Sequence, residues 1–185
     1  MQLSENLTLR ECTKSITASR LGINNTPDEW ETENLRQLAR YVFQPLREGL
    51  GVPIYVSSGY RSLELNTAIG GSSRSQHIQG RALDLDADVY GGTTNGDIFR
   101  YILNCIEFDQ LIWEFGDEDN PDWVHAKWPA ITRRKTATRH QLHAGAGAAG
   151  GHALCVGPGH AGLLDDQGLH IAPQGYGAAC VGRHG

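Results

Sequence analysis

A chain of 185 residues is long enough for one domain with a proper core and short for two. Its formal net charge of −5 and the lack of a basic stripe argue against a phosphate-tracking surface, so nucleic acid is not an expected partner. There is no apolar run long enough to span a bilayer, and the opening MQLSENLTLRE lacks the basic start and apolar stretch of a secretory signal. Neither membrane insertion nor ordinary export is therefore expected.

Taken in chain order, residues 25–28 (NTPD) read as a helix start, and Leu35, Leu38, Ala39, Val42, Phe43 and Leu46 recur at the spacing of one helical face. Pro45 is expected to kink this amphipathic helix or limit its last turn, with Gly49 and Gly51 closing it. PIYVSS (53–58) reads as a strand and SLELNTAI (62–69) as a short helix. The loop GGSSRSQHIQG then leads into a strand, RALDLDAD (81–88), and a second amphipathic helix covers about residues 96–106. DQLIWEF (109–115) and DWVHAKW (122–128), joined by the acidic turn GDEDNP, predict a hairpin. Helices beside a mainly antiparallel sheet make an α+β domain. Cys12, Cys105, Cys155 and Cys180 include no C-x-x-C pair, which excludes a zinc ribbon; Cys105, at helical spacing from Ile98, Ile102 and Leu103, is expected to be buried.

The composition changes after residue 132. Residues 133–185 are dominated by Gly, Ala and His and hold one aromatic residue, Tyr176. They have little apolar surface with which to offset the entropy of ordering, so a poorly ordered tail is predicted, and its composition is also that of a GC-rich gene read out of frame. Six of the eight histidines, His140, His143, His152, His160, His170 and His184, fall in this tail with no repeating ligand spacing. Only His77 and His125 belong to residues 1–132, a single catalytic-size domain with 11 basic and 19 acidic side chains. Its net charge of −8 suits a cation site better than an anion site.

A zinc hydrolase needs three N or O ligands and an open position for water. His77, Asp84 and His125 provide that set. In RALDLDAD alternation sends Leu83 and Leu85 to the core and Asp84 to the opposite face, while Gly80 lets the loop turn His77 back toward the strand and the small Ala82 leaves room. A His followed by an Asp seven residues later is common by chance, but SQHIQGRALD, with SGYRS upstream and WVH downstream in that order, is a longer string.

On those motifs, residues 2–128 resemble the zinc D-Ala-D-Ala carboxypeptidase and dipeptidase family, whose fold is shared with the hedgehog signalling domain. The opening LSENLTLRECTKSITASRLGINNTP is similar to that of small phage and bacterial members. The resemblance implies zinc ligation by His77, Asp84 and His125, contact of Arg61 with the substrate carbonyl or carboxylate, and a substrate- or loop-holding role for Ser75. For Arg61 the plain alternative is a surface salt bridge, and for Ser75 a turn-stabilising hydroxyl. It also implies a peptidoglycan stem peptide as substrate for a monomeric carboxypeptidase or endopeptidase. Such an enzyme, made in the cytoplasm without a signal peptide, would act on the cell wall as a phage or prophage lysis protein.

The general base has two candidates. Asp122, three positions before His125, works only from the turn before the strand, because a regular strand sends positions 122 and 125 to opposite faces. Glu114 has the longer reach, with Trp113 and Phe115 beside it. Either carboxylate is otherwise a partner that orients a ligating histidine. Two further readings stand beside the enzyme. One is a module that keeps zinc without catalysis, and the other is serine chemistry at Ser57 or Ser58, which lacks a nucleophile-elbow pattern.

Overall fold

A computed structural model describes residues 1–128 and 135–140, together with the backbone of short strands at 152–156, 163–164 and 170–171. The first residues, to which periodicity assigns no element, form strands β1 (Gln2–Ser4) and β2 (Leu7–Thr8) and helices α1 (Leu9–Thr13) and α2 (Ile16–Leu21). Thr8 and Glu11 cap each other's backbone N–H groups, which supports so short a helix as α1. Helix α3 (Glu29–Leu38) starts as expected at Asp28, reciprocally capped with Glu31.

Pro45 neither ends this helix nor sits in its last turn. A wide turn over Ala39–Phe43, in which the Gln44 N–H bonds the Ala39 carbonyl, joins α3 to α4 (Gln44–Leu50), and Pro45 lies in the first turn of α4. The extra residue in that turn accommodates the proline's missing donor and ring bulk, and α4 runs on to its cap at Gly51.

Strand β3 (Tyr55–Ser58), helix α5 (Leu63–Ala68), strand β4 (Ala82–Asp86), helix α6 (Asn95–Cys105) and strands β5 (Gln110–Glu114) and β6 (Trp123–Lys127) follow within a few residues of their predicted bounds. Two more strands, β7 (Lys135–His140) and β8 (His152–Val156), complete a sheet of order β3-β4-β6-β5-β7-β8. All neighbours in it are antiparallel except β5 and β7. Helices α3, α4 and α6 bury Leu35, Leu38, Leu46, Ile98, Phe99 and Ile102 in a core shared with Leu83, Leu85, Leu111, Trp113, Val124 and Ala126 of the sheet. The arrangement is α+β. The strand residues that alternate with these core positions, Asp84, Ile112 and His125 among them, share the other face.

The sheet does not stop where the composition changes. Strand β7 pairs in parallel with all of β5, from Gln110 opposite Thr136 to Glu114 opposite His140, and Ala137 joins the core. Strand pairing is made by backbone groups that every non-proline residue carries, so a Gly- and Ala-rich composition does not forecast it. The rest of the tail expectation, at 129–134, 141–151, 157–162, 165–169 and 172–185, lies outside the described residues. Cys105 is half-buried rather than enclosed. Cys12 is enclosed, and burial, with Glu11 adjacent, pushes its thiol up to about 12. Among the described residues no helix is long and apolar enough to cross a membrane.

A chain ending at His140 is expected to melt above one ending at Trp128, because only the longer chain covers the β5 edge with β7. At this size each kcal/mol of pairing lost lowers the midpoint by roughly 3–5 °C. Thermal unfolding of the two truncated chains, followed by circular dichroism, measures the difference.

Candidate metal centre

The register between β4 and β6 sets Asp84 directly opposite His125, and the register between β6 and β5 sets Ile112 opposite His125 on its other side. Side chains paired across neighbouring strands share a face, so Asp84 and His125 project together away from the leucine core. His77 arrives from outside the sheet, on a 3₁₀ turn over Gln76–Gln79. Gly80 ends that turn with a left-handed φ of 64°, and a Cβ there would lie 2.5 Å from the Glu31 carbonyl oxygen, so only glycine brings the turn this close to α3.

The three side chains are all buried, at 3%, 8% and 7% exposure for His77, Asp84 and His125, and their ligand atoms lie within 4.8 Å of one another. Asp84 Oδ1 is 2.8 Å from His125 Nδ1 and 3.3 Å from His77 Nε2. The opposite nitrogen of His77, Nδ1, is 2.6 Å from the Gly59 carbonyl, a second contact that fixes the ring with Nε2 facing Asp84. Gly59 itself tolerates no side chain, since a Cβ would meet the Cys12 carbonyl oxygen at 2.5 Å. His125 Nε2 is buried without a hydrogen-bond partner among the described residues. Burial by itself would raise the Asp84 carboxyl, but the imidazoles of His77 and His125 outweigh it and hold the group well below the usual carboxylate range. Two imidazoles, His77 through Nε2 and His125 through Nδ1, facing a carboxylate kept anionic make a donor set that fits a divalent cation of the zinc type.

Arg61 completes the enclosure. Its Nη2 donates to Asp84 Oδ2 at 3.1 Å and its Nε to Ser58 Oγ at 2.9 Å. The side chain is thus inside the site, bonded to a ligand residue rather than lying in a surface salt bridge. Ser57 Oγ donates to the Asp84 carbonyl at 3.1 Å. Both serines of the SSG segment therefore brace the site, and neither is paired with an imidazole in these contacts.

A cleft of about 430 Å³ opens above the cluster. Ser75 lines it, and its side chain makes no capping bond to the turn that follows. Glu114 lines it as well, with Oε2 held 2.9 Å from His140 Nδ1. Asp122 does not line the cleft. It lies in the turn before β6, exposed, with its N–H bonded to the Glu114 carbonyl and its own carbonyl accepting from Asn95 Nδ2. Arg74, Gln110 and Trp123 line the cleft without having been singled out from the sequence. Strand alternation from His125 and Glu114 was the available signal for Trp123 and Gln110. For Arg74 there was none beyond its loop, and His140 was hidden by the composition around it. Of the tail histidines, only His140 has a described side chain; His143, His160 and His184 lie outside the described residues.

The fold and this cluster define an α+β domain with a buried candidate metal site. The family described as peptidase M15 matches residues 5–126, from the first hairpin to one residue past His125. The chain belongs to the peptidase M15 family, a family of zinc-dependent metallopeptidases, and the zinc carboxypeptidase resemblance read from the motifs agrees with it. No curated protein matches the chain.

His77→Ala and Asp84→Ala are each expected to reduce bound zinc from one ion per chain to a small fraction, since each removes one of three ligands and ligand loss removes most of the chelate. Metal analysis of the purified variants by mass spectrometry measures this, and full occupancy in both would rule out the assignment.

Proposed function

We propose that the chain is a zinc peptidase that cuts D-amino-acid-containing peptide bonds in peptidoglycan stem peptides. The observation that carries this reading is the convergence of His77, Asp84 and His125 beneath an open cleft that also presents a carboxylate, Glu114. Zinc held by the three residues would polarise the scissile carbonyl and lower the pKa of water to about 7.

Glu114 is the general base in this reading. It takes the proton of the attacking water and returns it to the leaving amine, while the bond to His140 occupies one oxygen and leaves the other for the proton. Asp122 is the weaker candidate, because its side chain is exposed and outside the cleft lining. Arg61 keeps Asp84 oriented, and its remaining N–H groups stabilise charge that develops on the carbonyl oxygen. Ser75 holds the substrate backbone with its hydroxyl. The D-amino-acid and cell-wall assignment is supported by the strings SGYRS, SQHIQGRALD and WVH. The similarity of LSENLTLRECTKSITASRLGINNTP to small phage and bacterial members favours a lysis enzyme that acts on the cell wall.

Digestion of purified peptidoglycan, with released fragments identified by mass with and without chelator, tests the reading. Chelator-sensitive release of stem-peptide fragments is expected. Glu114→Gln should retain zinc and lose activity by a factor on the order of 10²–10⁴, whereas Asp122→Asn should lose far less. The reverse order would move the base to Asp122. A zinc-loaded chain that cleaves neither peptidoglycan nor D-Ala-D-Ala peptides is instead a zinc-containing binding module.

A further inference from the structure

The cleft holds two guanidinium groups in different situations. Arg61 is committed, bonded to Asp84 Oδ2 and to Ser58. Arg74 is exposed, lines the same cleft, and has no carboxylate partner among the described residues. Its backbone is nonetheless fixed. The Ser75 N–H bonds the Ser72 carbonyl at 3.0 Å and the Arg74 N–H bonds Ser72 Oγ at 3.2 Å, closing a tight turn. The buried Asn66 ties that turn to α5 through its Nδ2 to the Ser72 carbonyl and its own carbonyl to the Gly71 N–H.

An unpaired arginine on an anchored turn, at the mouth of a site whose other charges are matched, is placed to receive an anion from outside. Its planar fork fits a carboxylate with two parallel hydrogen bonds. We infer that Arg74 binds a carboxylate of the substrate, close to the scissile bond, and so makes the chain selective for acidic peptides over neutral ones. This inference rests on the peptidase reading above. Arg74 precedes His77 by three residues, so its backbone lies at most about 11 Å from that of His77, and both side chains line the one cleft, which puts the captured carboxylate near the bond cut. That carboxylate is either the free C-terminus of the peptide or the side chain of an acidic residue beside the cleavage point.

The test uses the zinc-loaded full chain and synthetic pentapeptides ending in D-Ala-D-Ala. One pair differs as C-terminal acid or amide, and a second pair carries an acidic side chain next to the cut as carboxylate or carboxamide. Arg74→Ala is expected to raise KM about 10- to 100-fold on the peptide bearing the recognised carboxylate, in the range of a charge-assisted hydrogen bond, with kcat and zinc content little changed. Arg74→Lys should recover part of the loss, and the neutral partner peptide should not respond. The pair that responds identifies the source of the carboxylate. Equal effects on acidic and neutral peptides, or no effect on either while the unmodified chain cleaves both, overturns the role of Arg74 and leaves the peptidase reading intact. An unmodified chain that cleaves none of the peptides overturns both.

Discussion

The buried carboxylate of Asp84 is the constraint on which the rest of the site depends. Taking an ionised group out of water costs several kcal/mol, and removing one partner of such a group is more harmful than replacing the whole set. Here the partners are the imidazoles of His77 and His125 on one oxygen and the guanidinium of Arg61 on the other. Each comes from a different part of the chain, so satisfying one side chain brings the 3₁₀ turn, the loop after β3 and strand β6 to the same point.

The backbone is shaped to permit this convergence. Two glycines do the critical work: Gly59 lets the loop after β3 pass against Cys12 while its carbonyl meets His77, and Gly80 lets the turn carrying His77 close against α3. A side chain at either position would collide with backbone rather than with a movable group. The sheet supplies the other half of the geometry. Because its period is two residues, burying Leu83 and Leu85 on the helical face commits Asp84 to the cleft, and a one-residue slip would bury the acid in the core. Core packing therefore enforces the register that the site needs.

At the far end of the hairpin the backbone departs from regular strand. Phe115 holds a left-handed φ of 56°, uncommon for a bulky residue, and its ring packs edge-on to Trp123 with centroids 5.3 Å apart. This turn separates Glu114, still in the strand and facing the cleft, from Asp122, which follows the turn. Asn95, fully buried at the start of α6, donates to the carbonyls of Pro121 and Asp122 and accepts from the Ala87 N–H. One amide thus locks the entry to β6, which carries His125, to the exit of β4, which carries Asp84.

Much of this is legible in sequence, for local reasons. The alternation in RALDLDAD assigns faces, Asp28 marks a helix start, and the acidic turn between DQLIWEF and DWVHAKW marks a hairpin, because each depends on residues a few positions apart. The set of His77, Asp84 and His125 is also readable, since the first 132 residues hold only two histidines and the alternation in RALDLDAD sends Asp84 away from the leucine face. What depends on distant backbone is not readable. The wide turn that accommodates Pro45, the parallel pairing of β7 with β5, and the approach of His140 to Glu114 arise from contacts that no local pattern encodes. Side-chain chemistry by itself determined what could bind a metal; only the tertiary structure decided that both arginines reach the cleft and that Arg61 rather than Arg74 is bonded to Asp84, because that depends on where each backbone segment is anchored.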